Sequence, residues 1–170
     1  MARAIAFIWG VGGILLLLGF AFIRLAPIAL DLANFPLSLL QWSFLAVFVV
    51  YMAYAEGYKG FHLAFSPRAV SRALYLAQNP RPLHLLFAPL FCMGYIYATR
   101  RRQLLSIGLT LLILCFVFIA RQLPQPWRGI VDAGVVVGLG LGIGSILFHG
   151  FTVLLNPNAS IMPAEVPAEA

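Results

Sequence analysis

Long apolar runs, separated by short segments that collect the charged and proline residues, dominate the chain. They cover residues 5–23, 37–55, 83–99, 103–120 and 129–155. A helix needs about 20 mostly apolar residues to cross a hydrocarbon core roughly 30 Å thick. Each run therefore predicts a transmembrane helix, and the chain reads as all-α, a polytopic integral membrane helical bundle. Arg3 and Arg24 flank the first run closely. It exceeds the 7–15 apolar residues typical of a signal peptide, so it is expected to be retained.

The longest connection carries signals of its own. Ser66-Pro67 reads as an N-cap with proline at the first helical position, and Asn79-Pro80 as a stop. Between them Arg68, Arg72 and Tyr75 share one side, while Val70, Ala73, Leu74 and Ala77 share the other. This predicts a short amphipathic interfacial helix over 67–78, lying in the headgroup plane. Residues 1–155 form one transmembrane domain. Residues 156–170, with three prolines, two glutamates and no basic residue, are expected to be a flexible tail.

Composition sharpens the class. Hydrophobic residues reach 62% and charged residues only 9%, against about 45–50% and 25% in soluble domains. Such a surface cannot be wetted, which excludes a soluble enzyme, a disulfide-stapled module and a disordered chain. The net charge of +6 sits in short loops between apolar runs. Anionic headgroups explain it, and nucleic acid is not an expected partner.

Five crossings would put the ends on opposite sides. The N-terminal side would hold Arg3, Lys59, Arg68, Arg72, Arg81, Arg121 and Arg128, and the other side Arg24 with Arg100, Arg101 and Arg102. The basic excess predicts a plasma-membrane protein with a cytoplasmic N-terminus and an outer C-terminus. One feature conflicts. A tight hairpin with three consecutive arginines belongs in the cytoplasm, so either the orientation flips or one run does not cross.

Candidate chemistry is sparse. Gly134, Gly138 and Gly142 recur every four residues in the fifth run, and Gly140 with Gly144 repeats the spacing one face over. Such a glycine zipper allows close approach of a second helix in lipid, first of all one from the same chain, otherwise one from a second copy or a different subunit. Asp132 lies inside the same run four residues after Arg128, and Glu56 ends the second run three before Lys59. Each pair reads as an interfacial anchor or an ion or proton relay. Arg68, Arg72 and Arg81 are the expected headgroup contacts. His62 and His84 would lie near one face and His149 near the other, so no metal or haem site is expected. Cys92 and Cys115 differ in depth by roughly 8 Å at 1.5 Å per residue, and read as apolar fillers. Asn158-Ala159-Ser160 fits a glycosylation pattern formally. No catalytic residue or cofactor is expected, since no nucleophile elbow, P-loop, dinucleotide fingerprint or HExxH occurs.

Three functions compete. The leading expectation is a non-enzymatic subunit or scaffold, packing through the glycine-rich fifth helix onto a second copy or a different membrane partner. The alternative is a small transporter or channel using Asp132 and Glu56. A membrane enzyme acting on lipid headgroups comes third.

Overall fold

Ser38 and Gln41 set the first well-defined boundary. The Ser38 hydroxyl accepts from the Gln41 amide at 3.3 Å, and the Gln41 side chain accepts from the Ser38 amide at 2.9 Å. This reciprocal capping box starts a helix just after Pro36. The computed structural model describes residues 2–156 and 162–167, and all secondary structure among them is helical. Asn158-Ala159-Ser160 and the last three residues of the tail lie outside the described residues.

Helix α1 spans Ala2–Leu30 and continues into a 3-10 turn, Asp31–Asn34. From the Ser38 cap the chain is helical for 40 residues, Leu39–Gln78. It comprises α2 (Leu39–Met52), a π-helical segment (Ala53–Phe65) and α3 (Ser66–Gln78). Two short helices follow, α4 (Pro82–Leu86) and α5 (Ala88–Cys92), then α6 (Arg100–Gln122) and α7 (Trp127–Leu155).

Among the described residues four helical stretches are long and apolar enough to cross a membrane, not five. The third apolar run, 83–99, is the one that breaks. Proline at 82 and 89 removes backbone donors and crowds the preceding turn. Gly94 (φ +87°) and Tyr97 (φ +48°) then take left-handed backbone that no helix continues through. The run folds back on itself as α4, α5 and an irregular turn.

The expected interfacial helix is also corrected. The second run does not stop at Glu56-Gly57, and Ser66 is no cap: it is already helical (φ −60°, ψ −49°), and its amide donates to Phe61 O, five residues back. The wider π register ahead of Pro67 opens the turn that the proline ring would crowd. Consequently α3 is the end of a membrane-length helix, with Ala69, Val70, Ala73 and Leu76 buried.

Helix direction follows from who touches whom. Leu32 seats on Gly129, and Phe22 faces Gly140, so α1 and α7 run antiparallel. Phe44 meets Trp127 edge-on at 5.6 Å, Phe48 covers Gly134 and Phe61 covers Gly142, so the long helix runs parallel to α7. Near the start of α1, Ala6, Phe7, Val11, Ile14 and Leu18 pack with α3, with Phe91 and Cys92 of α5, and with Ile146 and Val153 of α7. The beginning of α1, the end of α3, the start of α6 and residues 162–167 thus share one end of the bundle. Arg3, Arg68, Arg81 and Arg100 to Arg102 gather there, while Arg24, Arg121 and Arg128 mark the opposite end. The start of α1 and residues 162–167 therefore lie at the same end of the bundle as the arginine hairpin, where five crossings would have put them at opposite ends.

The crossing count is testable with a membrane-impermeant maleimide. Asn79→Cys and Asn156→Cys should label from one side and Asn34→Cys from the other. Native Cys92 is buried and Cys115 lies within apolar α6, so both should stay silent. Labelling of positions 79 and 156 from opposite sides would restore five crossings.

Candidate functional site

Arg72, expected at the headgroups, is 2% exposed. Its Nε donates to Phe91 O at 2.7 Å, Nη1 to Ala164 O at 2.7 Å, and Nη2 to Ile96 O at 2.8 Å and Tyr97 O at 3.0 Å. The Glu165 carbonyl lies 3.4 Å from Nη1, and the guanidinium stacks over the Phe91 ring at 4.4 Å. One planar fork therefore serves carbonyls from two separate stretches of irregular chain. A lysine could not reproduce this, because its ammonium is a point donor. Tyr97 and Glu165 are the non-glycine residues with positive φ among those described. Both present their carbonyls to Arg72, which compensates a backbone conformation that is otherwise unfavourable.

Residues 162–167 are correspondingly not a loose tail. The Glu165 carbonyl accepts from the Thr99 amide at 3.1 Å, its carboxylate lies 3.9 Å from Arg102 Nε, and Val166 packs against the core. Of the other expected headgroup arginines, Arg68 is only partly exposed and Arg81 lies over the Tyr97 ring at 5.4 Å. His84 is wedged against Phe91 and Tyr97; burial, then the Arg81 and Arg72 cations, pulls its pKa below the usual histidine range.

The glycine face of α7 is filled by this chain itself. A Cβ on Gly134 would lie 2.6 Å from the Phe48 ring, on Gly138 2.8 Å from Glu56 Oε2, and on Gly142 2.7 Å from the Phe61 ring. The contact is side chain into notch, not backbone against backbone. Leu141 returns the favour by seating on Gly57. Of the second pair, Gly140 faces Phe22, and Gly144 meets nothing within 4 Å.

The π segment explains the next correction. Its i→i+5 bonding aligns residues four and five apart, so Lys59 sits over Tyr54 at 4.9 Å and turns away from Glu56. Tyr54, Tyr58 and His62 form a stacked column at 6.1 and 5.8 Å. Glu56 is instead aimed at Gly138, and its Oε2 is buried with no hydrogen-bond partner among the described residues. Asp132 is 3.7 Å from Arg128 Nε, an i,i+4 ion pair at the opposite end.

Sequence reasoning missed one cluster altogether. His62 Nδ1 lies 3.2 Å from Ser145 Oγ, His149 Nδ1 lies 2.9 Å from the Ser145 carbonyl, and the two rings are 5.0 Å apart. Because α7 runs towards the basic end, His149 shares that end with His62. The only sequence signal is the i,i+4 pairing of Ser145 and His149 on the glycine face. Among the described residues no group of three His, Cys, Asp or Glu is assembled. Comparison with family models, curated proteins and solved structures gives no match.

Two variants test this geometry. Arg72→Met orphans several buried carbonyls and should lower stability in detergent by at least about 3 kcal/mol, at 1–3 kcal/mol per orphaned group. Arg72→Lys should recover only part of that loss. An unchanged melting temperature for Arg72→Met would remove the arginine from its structural role. Gly142→Ala should destabilise by about 1–3 kcal/mol through overpacking against Phe61, while Gly144→Ala should be neutral; equal effects would refute the notch packing.

Proposed function

We propose that the protein is a non-enzymatic helical membrane subunit that docks a partner helix along α6, with both chain ends in the cytoplasm. The observation that carries this is how α6 is held. Its first half is tied down: Ser106 Oγ donates to Met93 O at 2.9 Å, Gln103 Nε2 donates to Tyr95 O at 3.2 Å, and Thr110 meets the Tyr95 hydroxyl. At its far end Ala120 is buried. Everything from Leu111 to Ile119 is exposed around the whole circumference of the helix. A helix fixed at both ends and bare in the middle presents an apolar surface to whatever lies beside it. In lipid, association is driven by packing and not by water exclusion, so the partner is another apolar helix.

The glycine face of α7 was the expected docking surface. Gly134, Gly138 and Gly142 are occupied from within the chain, which moves the proposal to α6. The orientation rests on the charges: seven arginines, buried Arg72 among them, at the end that holds the start of α1 and residues 162–167, against three at the other, favour the former as cytoplasmic.

Cys115 is an exposed thiol in the middle of α6, and Cys92 is buried. Membrane-permeant bismaleimide on native membranes should therefore give an adduct of defined mass through Cys115. The same partner should accompany the chain stoichiometrically in mild detergent. If the chain purifies alone, and Cys115 reacts fully with a lipid-soluble maleimide yet yields only monomer, lipid is the sole neighbour of α6 and the reading fails.

A further inference from the structure

The basic end of the bundle holds a pair of cations that neither the Arg72 cage nor the α6 surface explains. Arg68 lies one turn before Arg72 on α3, and its Nε is buried with no hydrogen-bond partner among the described residues. A buried donor left unused costs free energy, and more so on a cation. Arg102, in the first turn of α6, has a side chain only 12% exposed. It lies along Gly94, where a Cβ would come within 3.1 Å of its Nε. A carboxylate oxygen of Glu165 reaches that Nε at 3.9 Å, yet Arg68 acts on Arg102 more strongly than this carboxylate does. The two guanidiniums therefore stand close together. Arg72 adds its charge to the group but no donor, because its N–H groups all go to carbonyls. Three guanidiniums face the one carboxylate of Glu165, which leaves a surplus of two positive charges.

Depth and charge select the ligand. Helix α6 has 23 residues, about 34 Å at 1.5 Å per residue, little more than a hydrocarbon core of roughly 30 Å. Its first turn, and Arg68 beside it, therefore lie at the headgroup plane, where lipid phosphates are. Arginine forks match phosphate oxygens two at a time. A phosphodiester carries a single negative charge, whereas a monoester carries about −1.5 to −2 at pH 7 and so cancels the surplus. Both side chains keep a part-exposed edge, which leaves a headgroup room to approach. We propose that Arg68 and Arg102 form a binding site for the phosphate monoester of an anionic lipid, one lipid per chain. Glu165, fixed through its carbonyl by the Thr99 amide, is the built-in counter-charge that limits the surplus. The site is independent of any helix partner along α6.

The test uses the full chain in mild detergent, titrated with dioleoyl phosphatidate, phosphatidylglycerol or phosphatidylcholine and read by native mass spectrometry. The expected result is one retained phosphatidate per chain, held more tightly than phosphatidylglycerol, with no saturable phosphatidylcholine. Arg68→Gln and Arg102→Gln should each weaken phosphatidate binding by roughly tenfold or more, the loss of a charge-assisted hydrogen bond. Arg101→Gln, at an exposed position, should change it by less than about threefold. Glu165→Gln should tighten it, because the positive surplus grows. Glycerol 3-phosphate, the same monoester without acyl chains, should not displace the lipid at equal concentration. Phosphatidate should also shield Arg68 and Arg102, and not Arg101, of the wild-type chain from phenylglyoxal, a readout that needs no variant to fold. Equal retention of phosphatidate and phosphatidylglycerol, binding undiminished in both Arg68→Gln and Arg102→Gln, or shielding of Arg101 in place of the pair would each overturn the site. Displacement by equimolar glycerol 3-phosphate would overturn a lipid as the source of the phosphate.

Discussion

The architecture depends on a single guanidinium. A chain that abandons helix in an apolar surrounding must find partners for its freed carbonyls, since no water is there to supply them. Residues 93–99 abandon it, and Arg72 answers with donors to Phe91 at the end of α5 and to Ile96 and Tyr97. The same fork reaches Ala164 and so binds a second irregular stretch to the first. Burying a cation is expensive unless its donors are used. Here Nε, Nη1 and Nη2 all are, and the ring of Phe91 lies beneath the plane. Arg72 thus holds together the fold-back that the prolines and left-handed residues of the third run begin and the docking of residues 162–167.

Around that anchor, α7 acts as the central post. Its glycines admit side chains where a Cβ would collide, and the long helix supplies Phe48, Glu56 and Phe61 to fill the notches. The π segment matters because it changes which residues share a face. It stacks Tyr54, Tyr58 and His62, sends Lys59 onto Tyr54, and leaves Glu56 alone with Gly138. Packing and candidate chemistry therefore arise from the same seam. The meeting of His62 and His149 at Ser145 is a by-product of the helices being parallel and in that register.

Much of the difference between sequence expectation and structure traces to one crossing. Once residues 83–99 turn back, every later residue exchanges sides. Arg100 to Arg102 join Arg3 and Arg68, and His149 moves from the far end to the vicinity of His62. The discordant arginine hairpin was a legible sign of this, as were Pro89 and the shortness of the run. What could not be read was the resolution, because a flipped orientation would have satisfied the hairpin equally well. The buried state of Arg72 was hidden for a related reason: at helical spacing with Arg68 it looks like the polar stripe of a surface helix, and its carbonyl partners lie up to 93 residues away.

The sequence alone determined that this chain is helical, with helices long and apolar enough to cross a membrane, an ion pair at Asp132 and Arg128 within reach of i,i+4 spacing and a glycine face on its last long helix. These follow from composition and from periodicities of a few residues, which local physics dictates. The tertiary structure decided the number of membrane-length helices, the end of the bundle at which each loop lies, the inward turn of Arg72, the filling of the glycine notches and the meeting of His62 with Ser145 and His149. In runs apolar on every face, no pattern marks the side that packs. Only the pairing of distant surfaces, judged by shape and by the satisfaction of buried polar groups, can choose it.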